Sequence, residues 1–231
     1  MQASFTGFGV PFFDFFDELK RNNNREWFQD HKSAYERDVV AQMLAFIEAI
    51  GPGLSGISEQ YTAIAKKSGG SMFRIYRDIR FSKDKTPYKT HAACQFRHVM
   101  GRDAHAPGFY VHLEPGRVAI GGGIWQPPSR HLNRIRETIA DSPAAWGGII
   151  GDSELTRRFG GIHGDCLKRA PRGYDPNHPH IDDLRRKSFF LMQPLGREEA
   201  ALTSFVDETV AAFRAADPLM RFICHALDLP F

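Results

Sequence analysis

The sequence predicts an α+β fold, with an antiparallel central sheet flanked by N-terminal and C-terminal helices. Three observations carry this. Between residues 89 and 124, apolar and polar residues alternate with the period of two that strands require. Apolar residues recur at helical spacing on both sides of that region. Strands and helices do not alternate regularly, which argues against a parallel βαβ architecture.

In chain order, Pro11–Arg21 reads as an amphipathic helix, since Phe12, Phe15, Phe16 and Leu19 recur at helical spacing. Asn22–Asn24 breaks it, and Asn23 with Glu26 resembles a capping box. A long helix should follow from about Arg25 to Ile50, with Phe28, Tyr35, Val39, Met43, Phe46, Ile47 and Ile50 inward and Gly51-Pro52-Gly53 ending it. Its aromatic stripe reads as core and its His31 as a surface residue. Gly56–Lys67 holds a short strand in this reading, and Ser68-Gly69-Gly70 a loop.

Three alternating runs, 89–99, 109–114 and 117–124, look like a meander. In the first, Ala92, Cys94 and Phe96 share one face, and His91, Ala93, Gln95 and Arg97 the other. In the second, Phe109, Val111 and Leu113 face the core, with Tyr110, His112 and Glu114 opposite. Gly101–Gly108 reads as a polar turn, and Glu114-Pro115-Gly116 as a tight one. Gly121-Gly122-Gly123 suits a bend or close packing better than an anion cradle, because no phosphate-loop pattern surrounds it. Ser129–Ala140 reads as a helix, and Ser142-Pro143 opens another to about Ile150. Gly160–Pro179 is irregular. Ile181–Lys187 suggests a helical turn and Ser188–Leu195 an extended stretch. Arg197–Ala216 reads as one helix, and about Pro218–Leu227 as the last.

The chain has 231 residues, with no low-complexity linker and no internal repeat, so 1–231 is expected to be a single globular domain. Nineteen Phe suggest a core rich in aromatic contacts. A net charge of +3 is too small for a tail that binds nucleic acid by charge alone. Cys94, Cys166 and Cys224 are odd in number and show no CxxC spacing, which argues against a disulfide framework or a zinc ribbon. The N-terminal residues lack a basic leader and no apolar run approaches a membrane span. A cytoplasmic location is therefore expected.

The stretch Ser71–His91 stands out. It carries Arg74, Arg77, Arg80, Lys83, Lys85 and Lys89 against only Asp78 and Asp84, with Phe73, Tyr76, Phe81 and Tyr88 threaded between them. Extended as far as Phe81, it would place Phe73, Ile75, Arg77, Ile79 and Phe81 on one face, and Arg74, Tyr76, Asp78 and Arg80 on the other. Partly shielded cations need a carboxylate, a carbonyl or a bound anion beside them. The same pattern also suits a structural ion-pair network or a solvated loop. A second basic segment, with Lys168, Arg169, Arg172 and Tyr174, lies in the irregular region, and the expectation is that both segments face one cleft.

Candidate acid–base groups are His91, His112 and Glu114, with Asp78 in the basic stretch. His112 and Glu114 are two residues apart on a strand and so share a face. They suit a structural pair as well as they suit chemistry. His163, His178 and His180 have no standard ligand spacing, so no metal site is assigned. No GxSxG motif occurs, and neither Cys94 nor Cys166 has a clear activating context.

The strings RIYRDIRFSKDKTPYKTH, NNNREWF, FYVHLEPG, GGGIW and LKRAPRGYDPNHP resemble the bacterial and fungal family catalogued as domain of unknown function 2461, from about Phe12 to Phe213. The resemblance implies a single-domain intracellular protein and supplies no activity, cofactor or catalytic residue. Three readings are carried forward. The first is binding of a phosphate- or carboxylate-bearing small molecule, with chemistry by the histidine face as an option. The second is nucleic-acid binding through interleaved Arg, Lys and aromatic residues, including Trp125. The third is a non-catalytic scaffold or interaction module. Cofactor and oligomeric state are left open.

Overall fold

The computed structural model describes residues 5–101 and 105–231. The turn expected at 101–108 therefore lies partly outside the described residues.

Helix α1 (Val10–Arg21) buries Phe12, Phe15, Phe16 and Leu19, the stripe its periodicity required, and Phe13 as well. α2 (Arg25–Asp30) starts at Asn24, whose side chain accepts the Trp27 N–H at 2.9 Å. The cap is thus one residue later than Asn23 suggested. Asn23 is used elsewhere: its amide donates to the Tyr88 carbonyl at 2.9 Å and accepts the Tyr88 N–H at 3.1 Å.

The single long helix expected from Arg25 is interrupted at His31. It continues through a short turn α3 (Lys32–Ala34), a π-helical segment (Tyr35–Val40) and α4 (Ala41–Ser55). Gly51-Pro52-Gly53 does not end it. Leu54 extends the buried row of Ile47 and Ile50 by another turn. Gly53 lies so close to helix 205–215 that an added Cβ would fall 2.4 Å from Val210 Cγ2. That glycine serves packing, and the burial of Leu54 outweighs the proline.

Four strands form one antiparallel sheet in the order β1 (Ala92–Arg97), β2 (Gly108–Glu114), β3 (Arg117–Ile124) and β4 (Phe189–Leu195). The strand expected within 56–67 does not form. Tyr61 makes only an isolated bridge to His98. The 72–88 segment is extended but is likewise held by bridges alone, Met72 to Cys94 and Tyr76 to Tyr88. Its alternation holds as far as Ile79, with Ile75 buried and Arg74, Tyr76, Asp78 and Arg80 exposed. It fails at Phe81, which is 95% exposed at the hairpin tip.

After the sheet's third strand come α5 (Ser129–Asp141), α6 (Pro143–Ile150) and α7 (Ser153–Phe159). The last was not foreseen, although Asp152 caps it by accepting the Leu155 N–H at 2.8 Å and Gly160 closes it at φ 71°. α8 (Ile181–Leu184) precedes β4. The helix expected over Arg197–Ala216 is two, α9 (Arg197–Ala200) and α10 (Phe205–Ala215), because the chain turns at 201–204 to bring Ala200 against the N-terminal segment. There the Phe8 N–H donates to the Ala200 carbonyl at 2.9 Å. α11 (Asp217–Ala226) ends the helices.

Buried side chains from Phe8 to Leu227 form one continuous cluster. Phe8, Phe12, Phe46 and Phe205 meet ring to ring at one end. Phe96 and Phe109 of the sheet meet Phe213 of α10, the latter pair stacked at 4.6 Å. The helices thus cover one face of the sheet, the face of Cys94, Phe96, Val111, Leu113 and Ile120.

Candidate functional site

The other face of the sheet carries the site. Strand register lines its residues up in rows across the sheet. Gln95, Tyr110, Gly121 and Met192 form one row, and Ala93, His112, Ala119 and Pro194 the next. Beyond them Glu114 pairs with Arg117 across the β2–β3 turn, and His91 precedes β1 at the same level. In the other direction lie Gly108, Gly123 and Phe190.

Small residues keep the middle of this face low. Gly121 and Gly123 are demanded by the neighbouring strand: an added Cβ at Gly121 would sit 1.8 Å from the Leu191 carbonyl oxygen, and one at Gly123 2.2 Å from that of Phe189. Gly123 also has φ 147°. Gly121 and Gly123 therefore serve close strand packing, with a groove as by-product, while Gly122 faces the helices, where an added Cβ would fall 2.8 Å from Phe109 Cδ1.

That groove has a volume of about 420 Å³ and spans all four strands, a size suited to a small organic molecule. Phe73 walls it on the β1 side, with its ring 6.3 Å from Tyr110. Trp125 and Phe190, 5.4 Å apart, wall it on the β4 side. Trp125 is held there by an unusual backbone. Gln126 takes a left-handed φ of 43°, and its N–H donates to the buried Ser188 hydroxyl at 2.9 Å. Such a conformation costs on the order of 1 kcal/mol in a non-glycine residue.

The opposite end of the groove is polar. His112 Nε2 lies 3.3 Å from Glu114 Oε2, and its Nδ1 lies 3.2 Å from the Tyr110 hydroxyl. If Nε2–H donates to the carboxylate, Nδ1 accepts from Tyr110, and the three groups form a chain along β2. The His91 ring stands 4.5 Å from that of His112. Burial, with His112 second, holds the His91 pKa down to about 4. Burial also lowers that of His112, and Glu114 opposes this. Both rings are therefore neutral at pH 7. Tyr110 is pushed up to about 12 by burial, so its phenol stays protonated. The arrangement can donate and accept protons, with Glu114 orienting His112.

Arg117 joins this groove to a second, more polar hollow lined by Asp17, Lys20, Thr90, Glu114 and Arg197. Among the described residues, none of Arg117, Lys20 and Arg197 is ion-paired. Arg197 instead lies over the Phe13 ring at 5.6 Å. Sequence reading did not single out these three cations. The signal for Arg117 was present: a tight Glu-Pro-Gly turn puts Arg117 opposite Glu114 and hence on the face of His112. Lys20 and Arg197 come from α1 and α9, and only tertiary packing brings them here.

The residues of the basic stretch are placed differently from one another. Arg77 pairs with Asp84 at 2.5 Å and also reaches Thr86. Arg80 pairs with Asp78 at 2.7 Å, on the exposed hairpin outside the groove. That donation holds the Asp78 carboxyl down to about 2. Lys85 donates to the Ile79 carbonyl and Lys89 to that of Arg74, at 2.9 and 2.7 Å. Arg74 and Lys83 point into solvent.

The two basic segments do not share a cleft. The first is bonded to the free edge of β1, where the Phe73 N–H donates to the Ala93 carbonyl and the Gln95 N–H to that of Ser71. The second follows residue 163, which is bonded to β4 through Phe190. The full width of the sheet separates them. Lys168, Arg169 and Arg172 are exposed, and Tyr174 packs near Arg136 of α5. Among the described residues no group of three His, Cys, Asp or Glu side chains is placed to hold a metal ion.

The chain is thus an α+β protein whose antiparallel sheet is sealed by helices on one face and carries a groove on the other. It belongs to the family described as Conserved hypothetical protein (DUF2461), whose model matches residues 11–222. Compared with curated proteins, the chain shows no match. No helix among the described residues is long and apolar enough to cross a membrane.

Proposed function

We propose that this protein binds a small anionic molecule on the open face of the sheet, with the anionic head near Arg117, His91 and His112. The observation that carries this is a set of three cations, Arg117, Lys20 and Arg197, with no ion-pair partner among the described residues, lining a hollow that Arg117 joins to a groove holding two neutral histidines. A guanidinium without a carboxylate partner favours a carboxylate or phosphate. The Tyr110–His112–Glu114 chain gives the same site acid–base capacity, should the bound molecule react. Three free thiols support a reducing, intracellular setting. The continuous buried cluster supports one folding unit.

Thermal shift with sodium phosphate and a panel of organic carboxylates tests the reading. A ligand at about 100 times its Kd stabilises a protein by about 2.7 kcal/mol, a shift of several degrees at this chain length. The shift should disappear in Arg117→Ala. No shift from any anion, or a shift indifferent to that substitution, overturns the reading.

A second reading rests on the exposed hairpin. Tyr76 and Phe81 are 56% and 95% exposed beside Arg74, Arg80 and Lys83, a pattern that can stack and neutralise single-stranded nucleic acid. It requires binding of an oligonucleotide that weakens steeply with salt and is lost in Phe81→Ala. Absence of binding at low salt ends it.

A further inference from the structure

We propose that the occupant of the groove is an elongated aryl carboxylate: a flat ring and a single carboxylate separated by several bonds. This rests on the anion-binding reading above and specifies its ligand.

The ring end follows from the walls. Phe73 with Tyr110 on one side, and Trp125 with Phe190 on the other, present aromatic surface across a floor made of the Gly108 and Gly123 backbone. A flat ring can approach a glycine floor closely and meet these walls edge-on or offset. Trp125 is half exposed at the rim, yet the left-handed Gln126 and its bond to buried Ser188 fix its position. A rigid, exposed aromatic held at the cost of backbone strain is suited to cover a ligand.

The single carboxylate follows from the charges at the other end. Arg117 and the neutral ring N–H of His91 can receive an anion, but Glu114 and Asp17 line the same end. A phosphate dianion would meet two carboxylates at close range. A carboxylate carries half that charge and leaves the cations in excess.

The length follows from the strand geometry. Arg117 and Gly123 are six residues apart on β3, which is roughly 20 Å along a strand. The Arg117 side chain and the histidines reach over the first row. The remaining distance from head to ring centre is about 7 to 10 Å, two to three strand residues, which about three to five methylene groups plus the ring radius span. Benzoate and phenylacetate are too short to satisfy both ends.

Isothermal titration with named probes separates the parts. The probes are acetate, phosphate, phenylacetate, 4-phenylbutyrate, 4-phenyl-1-butanol and octanoate. The expected order places 4-phenylbutyrate at least tenfold tighter than phenylacetate and tighter still than acetate. The alcohol and octanoate should each be weaker than 4-phenylbutyrate by about tenfold. Arg117→Ala should remove the preference for the acid over the alcohol. Trp125→Ala, at an exposed position where folding is not at stake, should remove the preference for 4-phenylbutyrate over octanoate. Binding of acetate, phosphate and 4-phenylbutyrate with equal strength, all dependent on Arg117, overturns the aryl assignment and leaves anion binding standing. Binding of no anion by the folded protein overturns both.

Discussion

His91 is the residue whose chemistry departs most from its ordinary behaviour at the site. Its pKa near 4 in the folded protein lies below the ordinary value of 6.5 that it regains on unfolding. Between those two values the unfolded chain binds the extra proton and the folded one does not. Stability therefore rises with pH through this window and is lost as pH falls from about 6.5 towards 4. Allowing for solvent screening at a partly exposed ring, the term is on the order of 1–2 kcal/mol. His91→Gln should flatten the urea-unfolding free energy between pH 4.5 and 7 by that amount. An unchanged slope would mean that the ring is already protonated or fully hydrated. The histidine face itself was legible, since period-two alternation alone puts Tyr110, His112 and Glu114 together. The depressed pKa was not, because it arises from burial in the fold and from the His112 ring on the neighbouring strand.

Among the elements, the hairpin between Met72 and Lys89 is the least self-sufficient. It has isolated bridges in place of a ladder, and its acids serve its own arginines locally. Its attachment to the helical layer runs through Asn23, which exchanges two hydrogen bonds with the Tyr88 backbone, while Tyr88 stacks on Phe28 at 4.2 Å. Asn23→Ala strands a partly buried N–H and carbonyl together, at a cost of about 1–3 kcal/mol. Hydrogen exchange should show the Tyr88 amide losing protection while the β2 amides keep theirs. Uniform loss along the chain would make Asn23 a general stability residue, not a hinge pin. Helix existence was readable from periodicity, but helix ends were not. Asn23 and Asn24 are equivalent as sequence, and only the position of Tyr88 decides which of them caps. Gly51-Pro52-Gly53 reads as a stop signal until Val210 is seen to need the space over Gly53.

For the molecule as a whole, the sheet decides which charges can cooperate. Its four strands set Arg74–Lys89 and Lys168–Arg172 at opposite edges, so two segments of like composition cannot act on one small ligand. Sequence composition shows how many cations a segment holds, and says nothing of which edge it lies on. The cations that do converge, Arg117, Lys20 and Arg197, come one each from β3, α1 and α9, and no local excess of charge marks them. This gives a test of the fold's role in the site. The triple substitution Lys168→Ala, Arg169→Ala, Arg172→Ala removes three exposed charges from a loop outside the groove. It should change stability by no more than about 0.5 kcal/mol per site and leave the response to 4-phenylbutyrate as it was. Arg117→Ala changes the net charge by one third as much and should abolish that response. If the triple variant lost binding and Arg117→Ala kept it, long-range charge would govern recognition, and the groove would be a consequence of strand packing alone.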